Sequence, residues 1–175
     1  TILHAAAIVL KGQEITGIIT NIVPQTGGQD ITVKQADDTL ITFFVPNGMK
    51  IHLEGDGEIP ANLLCVGREV RVLVNTSSTA TLVKVIPETK EGTVTAIDAS
   101  TRSLTVDLGG GITDTVVVST GATILKSIGG VQSLISFGDI KAKSGSYAGD
   151  YIQYFGLKGC GTDTTFYAFV VVVTE

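Results

Sequence analysis

Residues with chemical potential are few and widely spaced in this chain. It has two cysteines, Cys65 and Cys160, and two histidines, His4 and His52. No C-x-x-C occurs, which excludes covalent haem attachment and a thioredoxin-type dithiol. In an oxidising compartment the two thiols are disulfide candidates, either within one chain or between two. Closing the long loop between them would contribute roughly 4 kcal/mol by the chain-entropy estimate. Two isolated histidines do not supply the ligand spacing of a zinc site, and no Ser-His-Asp arrangement supports acyl transfer. The stretch "EGDGE" puts Glu54, Asp56 and Glu58 at alternate positions. Hard-cation loops use that spacing, so the three are a weak calcium candidate, although the twelve-residue loop pattern is missing. "GGGITD" (109 to 114) lacks the lysine and following helix of a phosphate loop and reads as a hairpin. Asn75, in "NTS", is a glycosylation acceptor sequon on an expected hairpin. With no convergent acid, base and nucleophile, the expectation is a protein that is not an enzyme and uses no cofactor.

Aromatic residues make up 6% of the chain, with no tryptophan, and Tyr147, Tyr151 and Tyr154 crowd its last third. They are candidates for a ligand strip facing carbohydrate or another protein, with packing inside a core as the plain alternative. Twelve Lys+Arg against seventeen Asp+Glu, a net charge of -5 and a pI near 5.0 argue against binding a phosphate backbone. Nucleic acid is not an expected partner.

The elements that must carry these residues are strands. Val, Ile, Thr, Phe and Tyr alternate with polar residues at period two, as in Glu69-Val70-Arg71-Val72-Leu73-Val74. Five segments recur in the same order. "EITGIITNI" (14 to 22) aligns with "KEGTVTAID" (90 to 98), and "DITVKQ" (30 to 35) with "SLTVDL" (103 to 108). "VPNGMKI" (45 to 51) aligns with "VSTGATI" (118 to 124), and "CVGREVRVLV" (65 to 74) with "YAGDYIQYFG" (147 to 156). The last pair is "TATLVKVI" (79 to 86) and "TTFYAFVVVV" (164 to 173). "PETKE" (87 to 91) marks the boundary, and "VQSLISFGDI" (131 to 140) has room for one short helical turn. The expected fold is all-β: two tandem five-stranded OB-like Greek-key barrels over residues 13–87 and 88–175, preceded by an extended strand over residues 1–12. One continuous β-sandwich is the alternative.

The pattern G-x-V-x-x-I, then S-L-T-V, then x-x-G-x-x-I, then L-x-V-G-x-x-V-x-V resembles an uncharacterised family of exported bacterial modules, often in tandem. Gly17, Gly92, Gly48, Gly121, Gly67 and Gly149 stand at the matching positions, over roughly residues 13 to 175. The resemblance implies OB-like barrels and an exported protein. It brings no catalytic residues with it.

The opening "TILHAAAIVL" carries no charged residue. It is shorter than the about 20 residues that cross a membrane, and it lacks the basic segment and cleavage site of a signal peptide. No membrane insertion is expected. A mature chain, exported after signal-peptide removal to the extracellular space or cell surface, fits the low charge and a mean hydropathy of +0.38. As a strand, residues 2 to 10 would span about 30 Å. Ile2, His4, Ala6, Ile8 and Leu10 would then face one way, and Leu3, Ala5, Ala7 and Val9 the other. A strand apolar on both faces belongs inside a structure. It would pair with its own barrel, pack as a short helix, or insert into a second copy of the chain. The third option predicts a pilus-like homopolymer with Ile2, Leu3, His4, Ala6, Ile8, Val9 and Leu10 as donor strand. The apolar run Phe169, Val170, Val171, Val172 and Val173 is the expected acceptor edge. A donor and an acceptor on different surfaces give head-to-tail growth.

Overall fold

The structure, a computed structural model, describes residues 12–55 and 57–174. The expected N-terminal strand lies outside those residues. The chain divides into two compact units between Ile86 and Pro87. The first holds β1 (Gln13–Gln25), β2 (Gly28–Lys34), β3 (Leu40–Pro46), β4 (Ile51–Leu53), β5 (Glu58–Ile59), β6 (Glu69–Val74) and β7 (Ala80–Val85). The second holds β8 (Glu88–Asp98), β9 (Ser103–Gly109), β10 (Ile112–Ile128), β11 (Val131–Leu134), β12 (Tyr151–Lys158) and β13 (Phe166–Thr174). Among the described residues the only helical elements are two 3-10 turns, Ala61–Leu63 and Phe137–Asp139.

In the second unit β8, β9 and β10 form an antiparallel meander. β13 then pairs parallel to β10 and antiparallel to β12, and β12 returns to β8, closing a five-stranded barrel. The first unit follows the same course in the order β3-β2-β1-β6-β7-β4-β5, with β4 parallel to β7. Phe44 N–H donates to the Ser78 carbonyl at 2.9 Å, drawing β3 toward the start of β7. The fold is therefore all-β, two tandem OB-like barrels, as the alternation and the repeat predict.

Period-two alternation decides which side chains fill each barrel. β6 buries Val70, Val72 and Val74 and turns Glu69 outward, and each buried valine contributes roughly 1.5 to 3 kcal/mol of transfer free energy. The repeat is also steric. A Cβ on Gly17 would lie 2.2 Å from the Lys34 carbonyl oxygen, and one on Gly92 would lie 2.4 Å from that of Asp107. Only glycine lets the first strand approach its neighbour so closely. Three residues later both strands carry a one-residue bulge, at Thr20 and at Thr95. Each bulged hydroxyl donates across the ladder, to Thr32 O at 3.2 Å and Thr105 O at 3.1 Å.

The third strand differs between the units. In the first it breaks after Pro46, where Met49 N–H closes a turn on the Pro46 carbonyl at 3.2 Å. In the second, "VSTGAT" supplies β-branched residues and no proline, and β10 runs on unbroken from Ile112 to Ile128.

Candidate functional site

Phe169–Val173, the expected acceptor edge, lie in an inner strand. β13 is hydrogen-bonded on one side to β10 and on the other to β12, and Val171 and Val173 sit in the barrel core at 0% and 2% exposure. Its two-sided apolar character comes from having neighbours on both edges. The donor residues Ile2, Leu3, His4, Ala6, Ile8, Val9 and Leu10 lie outside the described residues.

The three tyrosines do not form one strip. Residues 151 and 154 are an odd number apart on β12, so the pleat sends them to opposite faces. Tyr154 is fully buried, edge-on to Phe166 with ring centroids 5.0 Å apart. Tyr147 and Tyr151 are each 43% exposed, and the Tyr147 hydroxyl donates to Asp150. Asp150, buried beyond Gly149, also accepts the Lys141 N–H at 2.7 Å and so pins the 141–150 loop to the barrel.

Beneath Tyr154 lies a cluster that motif reading does not find. The Tyr154 phenol and the Lys90 ammonium both donate to Asp114 Oδ2, at 3.0 and 2.7 Å. Lys90 also stands 5.1 Å from the Phe166 ring centroid. Burial, then the bond to the Asp114 carboxylate, pushes the Tyr154 phenol far above its ordinary range. It therefore stays protonated near neutral pH and supplies no base or nucleophile; the cluster ties β8, β10 and β12 together. The only sequence signal would have been the register that sets Lys90 opposite Tyr154.

The acidic loop is committed to cations of the protein itself. Glu54 pairs with Arg71 at 2.5 Å and Glu58 with Lys50 at 2.8 Å, while Asp56 lies outside the described residues. Among the described residues no three of His, Cys, Asp and Glu converge as a metal site. His52 sits half-buried on β4, and His4 is outside the described residues. Asn75 is exposed on the turn between β6 and β7, where its Oδ1 accepts the Ser77 and Thr79 N–H groups at 3.0 and 2.9 Å. Cys65 precedes β6 and Cys160 lies in the loop between β12 and β13; both are disulfide-bonded. A pocket of about 320 Å³ opens where the third strand breaks, lined by Gln29, Asn47, Met49 and Asn62 with no charged side chain.

The two most exposed large apolar side chains among the described residues are on β11. This strand pairs with β10 alone and lies outside the closed barrel circuit. All four of its residues are exposed, Val131 at 73% and Leu134 at 78%, and Ile128 at the end of β10 is 54% exposed. No protein-family model matches the chain, and no curated protein matches it either.

Proposed function

We propose that this chain is a non-enzymatic structural subunit of an extracellular or cell-surface filament, growing head to tail as residues 2–10 of one copy join a sheet of the next. The observation that carries this reading is the closure of the second unit, whose circuit through β8, β9, β10, β13 and β12 draws all its strands from residues 88–174. The uncharged segment "ILHAAAIVL" is, apart from His4, apolar on both faces as a strand and would seek cover. Added as a strand it would gain main-chain hydrogen bonds as well as burial. Disulfide-bonded cysteines support an oxidising, extracellular setting, as does the resemblance of the glycine motifs to exported tandem modules. The test is size-exclusion chromatography with negative-stain microscopy of the full chain and of a chain lacking residues 1–12. The proposal expects filaments from the first and folded monomers from the second. Identical monomers from both would overturn it.

A second reading, a secreted or envelope-associated module binding carbohydrate or protein, is favoured by Tyr147 and Tyr151, half-exposed and four residues apart. It expects Tyr151→Ala to abolish retention on a glycan array while leaving assembly intact. Unchanged retention would remove it.

A further inference from the structure

We propose that β11 is the acceptor edge, receiving residues 2–10 of a second copy as an added antiparallel or parallel strand. This rests on the strand-donation reading above and gives it a place in the fold. β10 and β11 form a ribbon turning at Gly129 and Gly130, with Leu125 opposite Leu134 and Ile128 opposite Val131. Residues directly opposite share a face, and 131 and 134 fall on different faces. Each face of the ribbon therefore carries one apolar cross-strand pair, Leu125 with Leu134 on one and Ile128 with Val131 on the other, beside the polar pairs Ser127 with Gln132 and Lys126 with Ser133.

The backbone of β11 is also open. Ile135 N–H donates to the Ile124 carbonyl at 3.0 Å, so by antiparallel alternation residues 131, 133 and 135 direct their N–H groups at β10. Those of Gln132 and Leu134 point away, free to begin a new ladder. β11 itself carries no charge, and Lys126 of β10, opposite Ser133, is the one charged residue of the paired ribbon.

The fold itself does not demand such a ribbon. Ile59 holds the place in the first unit that Ile135 holds in the second, two residues before the 3-10 turn. There the chain doubles back at once, with Leu53 N–H on the Gly57 carbonyl at 3.0 Å, and Glu54 and Glu58 are ion-paired. Elsewhere Ile18 and Leu40 are exposed with Lys34 between them in one cross-strand row, and Val66 lies in the loop before β6. A second copy is the fitting occupant because the donor leads into β1 of the first unit and the edge belongs to the second. That places donor and acceptor on different units of one chain, as head-to-tail growth needs. β11 spans about 13 Å and engages roughly four donor residues, the others running past it.

The experiment compares the full chain with full-length Gln132→Pro and with Val131→Lys/Leu134→Lys by sedimentation velocity and negative stain. Proline removes one outward N–H and spares the β10 ladder, a position that edge strands tolerate. All four tyrosines lie in the second unit, so tyrosine fluorescence verifies that its barrel is folded. Expected is at least a tenfold loss of assembled material in both variants, with tyrosine fluorescence unchanged. If the proline variant unfolds, the lysine variant decides. Variants that assemble like the parent, while a chain lacking residues 1–12 does not, overturn the acceptor and leave strand donation standing. Assembly that survives removal of residues 1–12, or a full chain that is monomeric, overturns both.

Discussion

Gly67 and Gly149 stand at the same point of their barrels, each with a positive φ, 91° and 95°, and each followed by a buried charged residue. The next carbonyl, of Arg68 or of Asp150, accepts an N–H from the first strand, that of Ile19 at 2.8 Å or of Val94 at 2.9 Å. The surroundings then diverge. A Cβ on Gly67 would meet open space, whereas one on Gly149 would lie 2.2 Å from the Val94 carbonyl oxygen. The backbone constraint is common to both units, and the packing around it is private to each. The same holds for the hairpin beside the third strand, acidic and tight in the first unit, apolar and extended in the second. A repeated fold fixes the circuit and leaves its loops free to acquire separate tasks.

Glycine exchange should show this difference most strongly. Gly67→Ala carries only left-handed backbone strain, about 1 to 2 kcal/mol. Gly149→Ala adds overpacking of about 1 to 3 kcal/mol more. Urea melts followed by far-UV circular dichroism should rank Gly149→Ala as clearly the less stable; equal losses would break the comparison. Asp150→Ala should come next. It removes the carboxylate that the Lys141 N–H and the Tyr147 hydroxyl donate to, and a hydrogen bond to a charged group contributes about 1.5 to 3 kcal/mol. Tyrosine fluorescence would report that loss in the second unit, and an unchanged urea midpoint would show that Asp150 does not hold its loop. Tyr154→Phe keeps the ring contact with Phe166 and deletes one bond to a carboxylate, about 1.5 kcal/mol. A change below a few tenths would mean the Lys90–Asp114 pair closes the barrel unaided.

Acid should produce the smallest effect and again separate the units. In the second unit the Ser100 hydroxyl holds Asp98, the Ser136 hydroxyl holds Asp139, and the Thr165 N–H holds Asp163 below the usual 3.8. Among the described residues of the first unit, Asp37 alone is lowered, by the Thr39 N–H. A carboxyl group with a depressed folded pKa stabilises above its unfolded value, and that contribution disappears as pH falls through the folded one. Between pH 5 and pH 2 the second unit should therefore lose more stability than the first, read by hydrogen exchange of each unit. Parallel losses would contradict this.

Much of the fold was legible in the residues. Gly17 and Gly92 stand out because a side chain would collide with a carbonyl, and Gly67 and Gly149 because their backbone is left-handed; such demands leave few alternatives to glycine. Pairing order was less legible. The run Val170–Val173 reads alike whether it is an inner strand or an exposed edge, because period two reports faces and not neighbours. β11 is illegible for the opposite reason: "VQSL" sets two polar residues between Val131 and Leu134, in a stretch whose room for a helical turn is taken up only at Phe137–Asp139. Nearness along the chain groups the tyrosines, whereas the pleat divides Tyr151 from Tyr154. The Lys90–Asp114–Tyr154 cluster joins three strands and leaves no local pattern.

The most direct measurement mixes two crippled chains. One lacks residues 1–12 and keeps its β11 edge; the other is the full-length Gln132→Pro chain, which keeps its donor. Strand donation into β11 predicts that each is monomeric alone in sedimentation velocity, and that an equal mixture forms a capped one-to-one pair and nothing longer. No pair in the mixture, or long assemblies from either chain alone, would contradict it.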